Sequence, residues 1–385
     1  MSRLERRLSR IAAMAALGIR MMLHDRLKLA GTLIGVVFAV VLSGQQLGTF
    51  LGLLEKNTMF VDQTETDLWI LPAATETLGG GARLSTTALT QARSAEGVAW
   101  AEPLLEGTAA VALLDGGSEP VHLIGARHGR WAGGPWNLVE GDVGALARPD
   151  TVIFEDSQRE SLGGLNVGSR REMNGHLVTA GGFTWGLLPF GPSYAFAEYD
   201  TARLLLGTPS DRTSYVLVGL APGADVDVVR AALASRVPDA EVKTTAEFRG
   251  DILTDLLTKT PMGITFGMST AFGLIVGFVI VALLMFSAVV ERLREFGTLK
   301  AVGVTNGDLG WLLGAQSITY ATFGSAIGLY LLTRMGEAMR SPEIALILPS
   351  WLLGAVIAST VVLCVLASGL ALLRVRSVEP GMVFR

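Results

Sequence analysis

Residues 260–290 read TPMGITFGMSTAFGLIVGFVIVALLMFSAVV, a run of 31 residues without a charged side chain. A bilayer has a hydrocarbon core about 30 Å thick, which roughly 20 apolar residues cross as a helix. Each charge at the centre of a span would cost about 2.5–3.5 kcal/mol, so spans exclude charges, whereas buried helices of soluble proteins rarely stay uncharged over this length. The stretch therefore predicts a transmembrane helix.

Three further stretches have the same character: 29–54, 309–333 and 344–373. The whole chain of 385 residues is 50% hydrophobic and only 17% charged, whereas soluble domains carry about 25% charge. The stretch 29–54 is too long for the apolar part of a cleaved signal peptide, so we expect it to remain as a signal anchor. The sequence predicts four transmembrane helices.

Charge asymmetry predicts the orientation of these helices. Residues 1–28 carry a net charge of +5, the tail 374–385 carries +2, and the connections 291–308 and 334–343 are balanced. The long segment 55–259 holds 16 Lys/Arg and 27 Asp/Glu, a net −11. Because positive loops stay in the cytoplasm, we expect both termini there, in a cell inner membrane, and 55–259 outside.

The predicted fold is a membrane protein with four transmembrane α-helices and a large α+β extracytoplasmic domain inserted between helices 1 and 2. The expected segments are an amphipathic cytoplasmic helix (1–28), helix 1 (29–54), the extracytoplasmic domain (55–259), helix 2 (260–290), a cytoplasmic coupling loop (291–308), helix 3 (309–333), an external loop (334–343), helix 4 (344–373) and a cytoplasmic tail (374–385). The amphipathic helix is expected at the inner membrane surface or on a partner.

Within the external segment, alternation and turn residues predict short strands and helices. Strands are expected at 67–71, 98–101, 108–114, 121–125, 151–154, 171–174, 176–179, 214–220 and 241–244, and helices at 86–95 and 226–237. A helix beginning near Thr245 is expected to run without a joint into the span that contains Pro261.

Several kinds of chemistry lack their motifs in this sequence. There is no GxxxxGK[ST], HExxH, GxSxG or CxxC pattern, so the chain has no P-loop for ATP and no recognisable hydrolase or zinc-protease site. The four histidines lack ligand spacing, so no metal site, catalytic residue or bound cofactor is predicted. The one cysteine, Cys364, lies in the fourth predicted span and cannot form an internal disulfide.

Glycines recur every fourth residue in two of the predicted spans, a spacing that lets helix backbones approach closely in lipid. The residues expected at a dimer interface or at helix contacts within the chain are Gly44, Gly48, Gly52, Gly273 and Gly277. The two alternatives are equally compatible with any one pair. Four spans make a thin bundle, so a homodimer through spans one and two is favoured.

The segment 291–305, ERLREFGTLKAVGVT, joins spans two and three with charged and apolar residues at helical spacing. A short stiff helix held in the cytoplasm can receive force from a soluble partner, although a solvated connector fits the residues equally well. Its ER-x-RE-x-x-x-LKA-x-G pattern resembles the coupling segment of FtsX/MacB-type ABC transporter permeases. The REF-x-TLKA stretch, the SYVLVGLAPG stretch at 214–223 and the EPGMVF stretch at 379–384 are most similar to the DevC-like branch.

This resemblance implies a permease subunit that couples ATP hydrolysis by a separate ATPase, which would bind the ATP and Mg, to export or extraction of a substrate outside the membrane. The residues that it implies for ATPase contact are Glu291, Arg292, Arg294, Glu295, Thr298, Lys300 and Gly303. Implied partners are the ATP-binding subunit, a second copy of the chain, a membrane fusion (adaptor) protein and an outer-membrane channel, but no nucleic acid. Alternatives are an FtsX-like regulator of a cell-envelope hydrolase and a lipid or lipoprotein extractor.

Overall fold

The computed structural model describes residues 3–189, 191–291, 293–338 and 346–376. The chain divides into two compact units, which are described separately. One, the helical unit, comprises residues Met1–Leu51, Thr265–Arg340 and Leu346–Arg385. The other, the external unit, comprises Gly52–Ile264 and Ser341–Ala345.

The helices of the described residues follow one another as α1 (Arg3–His24), α2 (Arg26–Gln63), α3 (Thr87–Arg93), α4 (Tyr199–Leu205), α5 (Val226–Arg236), α6 (Thr245–Thr258), α7 (Pro261–Glu291), α8 (Leu293–Ala301), α9 (Asn306–Ala338) and α10 (Ser350–Arg376). The strands are β1 (Leu68–Pro72), β2 (Leu84–Ser85), β3 (Val98–Ala112), β4 (Ser118–Ala126), β5 (Leu138–Gly141), β6 (Thr151–Glu155), β7 (Arg170–Met173), β8 (His176–Thr184), β9 (Ser193–Glu198), β10 (Arg212–Thr213), β11 (Tyr215–Leu220) and β12 (Ala240–Thr244).

Among the described residues, three helices are long and apolar enough to cross a membrane: Arg26–Gln63, Gly263–Glu291 and Ser350–Leu373. Helix α9, which contains the third predicted span, is not one of them, because polar residues such as Gln316, Ser317 and Thr319 interrupt it. The hydroxyls of Ser317 and Thr319 donate to the carbonyls of the preceding helical turn, at 2.9 and 2.8 Å. The count of four spans therefore stays a prediction.

Helix α9 packs against α1, α2 and α10 in the helical unit. Gly324 and Gly328 of α9 face Val36 and Val40 of α2, and a Cβ at either glycine would lie within 2.6 Å of a valine methyl. The absence of side chains there lets the two backbones approach each other. The side chain of Cys364 is buried in the same cluster.

The amphipathic helix α1 also packs on α9. The side-chain amide of Gln316 donates to the backbone oxygen of Gly18 at 2.9 Å, and a Cβ at Gly18 would lie 2.7 Å from the oxygen of Leu312. Met22 is buried in the core of the unit. The apolar face of α1, which the sequence assigned to lipid or to a partner, therefore contacts the chain's own α9.

The external unit is built on a mixed sheet with the strand order β12-β1-β11-β3-β4-β9-β6-β8-β5, and β7 pairs with both β3 and β8. The α+β prediction for this segment is confirmed. The predicted strands at 98–101 and 108–114 form one continuous strand, β3, because its fifteen residues pair with β11 over the first half and with β4 over the second. Burial is continuous where β3 crosses the core, over residues 103–106, and alternates only toward the end of the strand, over residues 108–112.

Several elements of the external unit differ from the sequence predictions, which did not include helix α4 or the short strands β2, β5 and β10. Strand β9 was missed, although it lies between β4 and β6 and its first five residues are buried. The predicted uninterrupted helix from Thr245 into the span is wrong: α6 ends at Thr258 and α7 begins at Pro261. Proline lacks the amide hydrogen that an interior helical position donates, and it disfavours a helical residue before it, so the chain breaks at Lys259 and Thr260.

Candidate functional site

The predicted coupling residues lie at the end of α7, on α8, and just after α8. Glu291 is the last residue of α7, and Glu295 and Thr298 are exposed on α8, where the Thr298 hydroxyl donates to the oxygen of Glu295 at 2.7 Å. Lys300 is partly buried in the last turn of α8. Arg292 lies outside the described residues, as does the side chain of Arg294.

Phe296 fixes α8 to the helical unit. Its side chain is 1% exposed and packs in a cluster, the coupling core, formed by Val289, Phe296, Leu309, Leu312, Leu313 and Ala371. These residues belong to α7, α8, α9 and α10, so one aromatic ring connects the short helix to three long ones. Burying a phenylalanine contributes about 1.5–3 kcal/mol. The amphipathic pattern thus has a buried face around Phe296 and an exposed face around Glu295.

Gly303 terminates α8. Its φ of 98° lies in the left-handed region that favours glycine. The amide of Gly303 donates to the oxygen of Lys300 at 3.0 Å, and the amide of Val304 donates to the oxygen of Leu299 at 3.1 Å. This pair of bonds is a Schellman motif, which satisfies carbonyls at the helix end. Gly303 therefore ends α8, two residues before Thr305, which caps α9.

Thr305 and Asp308 cap the start of α9. Asp308 Oδ2 accepts from the Thr305 amide at 2.9 Å and from its hydroxyl at 2.6 Å, and that hydroxyl accepts from the Asp308 amide at 3.3 Å. Arg10 of α1 donates to the same Oδ2 at 2.6 Å. The hydrogen bonds from Thr305, with the charge of Arg10, hold the pKa of the Asp308 carboxyl below its usual value. This cap fixes α1 to the end of the coupling segment.

The turn between α1 and α2 contacts the other end of the coupling segment. Lys28 Nζ lies 2.5 Å from Glu291 Oε2 and 2.9 Å from Asp25 Oδ2. The Ser287 hydroxyl donates to Glu291 Oε1 at 3.2 Å. Sequence reasoning missed Asp25 and Lys28 as site residues, because 263 residues of chain separate Lys28 from Glu291. The only signal was that both charges border predicted spans on the same side of the membrane.

A cleft of about 680 Å³ opens between this turn and the coupling segment, here called the coupling cleft. Its lining is strongly charged: Arg20, His24, Asp25, Arg26, Lys28, Glu291 and Glu295, with Met21 and Leu27. Charges of both signs on a rim around a few apolar side chains are typical of surfaces that bind proteins. Two of the predicted coupling residues, Glu291 and Glu295, therefore line a concave, charged surface.

Four of the five predicted packing glycines face side chains of the same chain. A Cβ at Gly44 would lie 2.4 Å from Leu332 Cδ2, one at Gly48 2.7 Å from Leu346, and one at Gly277 2.9 Å from Ala39. Gly273 has Leu42 at 3.7 Å. Gly52 is buried on α2. The structure thus brings Gly44, Gly48 and Gly277 into intramolecular packing, and the dimer interface stays a prediction.

Comparison with known proteins finds one matching family: residues 267–380 match the FtsX-like permease C-terminal domain. No curated protein matches the chain. Among solved structures, the periplasmic region of MacB from Actinobacillus actinomycetemcomitans is similar, with 12% identity, a TM-score of 0.37, and 49% of this chain and 92% of that chain covered.

Two other similar structures each cover 46% of this chain. The extracellular domain of the noncanonic ABC-type transporter YknZ from Gram-positive bacteria has 15% identity and a TM-score of 0.34, with 46% and 98% of the two chains covered. A domain of a putative permease protein from Porphyromonas gingivalis has 18% identity and a TM-score of 0.31, with 46% and 86% covered. The resemblance to FtsX-like permeases is confirmed by the family match, and the DevC-like branch stays a prediction.

Proposed function

Because residues 267–380 carry an FtsX-like permease domain, we propose that the chain is the membrane subunit of a mechanotransmission ABC transporter. In this role a separate ATPase subunit binds and hydrolyses ATP with Mg, and this chain converts the movement of that subunit into work on a substrate outside the membrane. The observation that carries the proposal is the coupling cleft, which is lined by Glu291 at the end of α7 and by Glu295 on α8, the helix that Phe296 holds on the long helices.

The coupling cleft is the docking surface for the ATPase in this proposal. Arg20, Arg26 and Lys28 provide cations on one wall, and Glu291 and Glu295 provide anions on the other. A partner segment with the complementary charges would be oriented as well as bound, because charge complementarity fixes register more than it adds affinity. The residues here touch the partner and not ATP.

Force applied to α8 would reach the long helices through the coupling core. Phe296 packs with residues of α7, α9 and α10, and close-packed side chains transmit displacement because the interior has little free volume. At its two ends the segment is joined to α1 and α2 by the Arg10–Asp308 and Lys28–Glu291 pairs. Helices α2 and α7 each contain residues of both units, so they are the route along the chain to the external unit.

The remaining partners follow from the same proposal. Helix α7 is the most exposed of the three candidate spans, with 20% of its apolar window buried, against 39% and 33% for the other two. Its exposed apolar residues, including Phe272, Val276 and Val279, offer a face for a second copy of the chain. We place the protein in the inner membrane with both termini in the cytoplasm, and an adaptor protein on the external unit where the transporter exports its substrate.

The test is co-purification of the chain from native membranes, followed by charge reversal in the coupling cleft. Glu295→Arg should reduce recovery of the ATPase subunit at least several-fold, because it replaces an anion of the anionic wall with a cation. Glu96→Arg is the matched control, since Glu96 is an exposed glutamate of the external unit. Equal ATPase recovery with Glu295→Arg and with the unmodified chain would exclude the cleft as the docking surface. Absence of any ATPase from the native complex would exclude the transporter assignment.

A further inference from the structure

A second cavity, of about 530 Å³, lies wholly in the external unit and far in sequence from the coupling segment. It is enclosed by the β2–β10 ribbon, helix α3, the end of α5 and the turn 237–240. The antiparallel pairing of β2 with β10 places Arg212 directly opposite Ser85, and both line the cavity. Cavities of roughly 300–1,000 Å³ are the size that binds small organic molecules. The β2–β10 ribbon forms one wall of such a cavity.

Three arginines line this cavity: Arg83, Arg212 and Arg236. Arg83 donates to the Ser214 hydroxyl at 2.9 Å, and Arg236 donates to the Ser94 hydroxyl at 3.4 Å. Neither has a carboxylate within 4 Å in the part of the chain that the structure describes. Arg212 has only the Asp211 carboxylate, with Nε 3.7 Å from Oδ2. Each guanidinium has five N–H donors, so most of these donors make no hydrogen bond to the residues that the structure describes.

The gathering of three arginines on one lining gives the cavity a charge opposite to that of the surrounding unit. Residues 55–259 have 27 carboxylates for 16 cations, so carboxylates are plentiful. Some arginines of the unit are closely paired, such as Arg230, which lies 2.9 Å from Asp227 and 2.6 Å from Glu247, whereas Arg171 donates to the backbone oxygens of Arg170 and Gly163. In the cavity only one acid, Asp239, accompanies the three arginines. A local positive charge therefore survives within a domain of net negative charge, and it would attract an anion from solution.

We propose that this cavity is a binding site for a phosphate group carried on a small organic molecule or a lipid headgroup. Arginine forks match phosphate oxygens with paired, charge-assisted hydrogen bonds, and a phosphate group has enough oxygens to engage more than one fork. A carboxylate has two oxygens and would leave much of this donor set unpaired. The Ser85 hydroxyl, which accepts from the Thr87 hydroxyl at 2.9 Å, adds a further donor, while Leu84 and Val237 provide an apolar wall for the rest of the ligand.

The experiment measures binding to the full-length chain in phosphate-free detergent by titration calorimetry. The probes are glycerol 3-phosphate, which is soluble, and dihexanoyl phosphatidylglycerol below its micelle concentration, which carries a lipid headgroup. Malate is the control anion, because it has two carboxylates and no phosphate. The variant is Arg212→Gln with Arg236→Gln, since both side chains are exposed and Arg83 is left to its bond with Ser214. Arg170→Gln is the matched control, an exposed arginine of β7 outside the cavity.

We expect a phosphate probe to bind the unmodified chain and the Arg170→Gln variant with equal affinity. Its affinity for the double variant should be about tenfold lower, because charged hydrogen bonds are lost. Binding of the soluble probe identifies a soluble phosphoester as the ligand, whereas binding of the lipid probe alone identifies a headgroup; both support the site. Malate that binds as tightly as the phosphate probes would overturn the phosphate assignment. The site would be overturned if neither phosphate probe bound, or if the double variant bound them as tightly as the unmodified chain.

If the double variant does not fold, Arg212→Lys replaces it. Lysine retains the charge but loses the paired donors, so affinity for the phosphate probe should still fall while the thermal unfolding temperature stays unchanged. Unchanged affinity in a folded Arg212→Lys variant would contradict recognition by the arginine fork. The measurement requires no ATPase, so its failure would leave the proposed transporter function untouched.

Discussion

Lys28 Nζ lies 2.5 Å from Glu291 Oε2, so the first turn of α2 is joined to the last residue of α7. Both side chains remain solvated, with 36% of Lys28 and 50% of Glu291 exposed. Exposed ion pairs contribute only about 0–1 kcal/mol to stability. The pair therefore matters less for holding the helices together than for setting where the two charges stand in the coupling cleft.

Reversal of this pair should change coupling more than stability. We expect Lys28→Glu and Glu291→Lys each to lower the ATPase activity of the purified complex by at least threefold, while the unfolding temperature of the chain changes little. The double exchange restores the pair with opposite polarity, and partial recovery is expected if the contact positions α7. If both single variants keep the ATPase activity of the unmodified complex, the Lys28–Glu291 contact is not part of coupling.

Removal of the Phe296 ring should loosen the coupling helix. Phe296→Ala deletes a fully buried side chain from the coupling core, and such changes cost about 3–5 kcal/mol. We expect hydrogen exchange of the α8 amides to become at least tenfold faster and ATP hydrolysis to uncouple from transport. Thr298→Ala is the control for hydrogen exchange alone, since Thr298 is exposed and its hydroxyl bonds within its own helix, whereas its own predicted contact with the ATPase excludes it as a control for coupling. Unchanged exchange in Phe296→Ala would show that α8 is held by other contacts.

Several features of the fold were predictable because they leave local patterns in the sequence. An uncharged stretch of 31 residues fixes the nature of α7 without any knowledge of its neighbours. The start of α5 is a second local signal, because Asp225 caps the helix by accepting from the amides of Asp227 and Val228. Such signals act over a single turn of chain, so no tertiary information is needed to recognise them.

Features that depend on distant contacts were not predictable. Ser193–Glu198 has too little alternation to indicate a strand, since both of its faces are covered and the central position in the sheet decides its conformation. Lys28 was assigned only to a basic end, and the partner that gives it a role lies 263 residues away. Contacts between residues far apart in the sequence leave no periodic pattern, so the wall of the coupling cleft that contains Lys28 could be recognised only from the structure.

A bulky residue at Gly277 should destabilise the helical unit. A Cβ there would lie 2.9 Å from the Cβ of Ala39, and overpacking of this kind costs about 1–3 kcal/mol. We therefore expect Gly277→Leu to lower the unfolding temperature in detergent. Gly267→Leu is the matched control on the same helix, because nothing lies within 4 Å of a Cβ at Gly267. A lower unfolding temperature for Gly267→Leu than for Gly277→Leu would show that α7 packs through the Gly267 side instead.

The orientation of the chain can be tested by cysteine labelling. In a Cys364→Ser background, a cysteine at Ser118 should react with an impermeant maleimide in intact spheroplasts, since Ser118 is exposed on the external unit. A cysteine at Thr298 is the matched control, which should react only after the membrane is broken. The opposite result at the two positions would invert the topology and remove the coupling cleft from the cytoplasm.

Acid should destabilise the external unit through Glu106. Its carboxylate is buried, and Oε1 lies 2.6 Å from His122 Nε2, whose ring meets Tyr194 edge-on at 5.4 Å. Burial alone would raise the pKa of the Glu106 carboxyl, but the close approach of the His122 imidazole and the Tyr215 hydroxyl lowers it.

A carboxyl whose pKa is lower in the folded chain stabilises it above the unfolded value of about 4.3, and this contribution is lost as the pH falls through the folded pKa. We therefore expect the unfolding temperature of the full chain to fall steeply below about pH 4.3. Glu106→Gln should be less stable at neutral pH, because it leaves His122 without its anionic partner, and should show a shallower acid decline. Glu96→Gln, on an exposed glutamate, should leave the pH profile unchanged. An acid decline that is as steep in Glu106→Gln as in the unmodified chain would assign the loss of stability to other carboxyls.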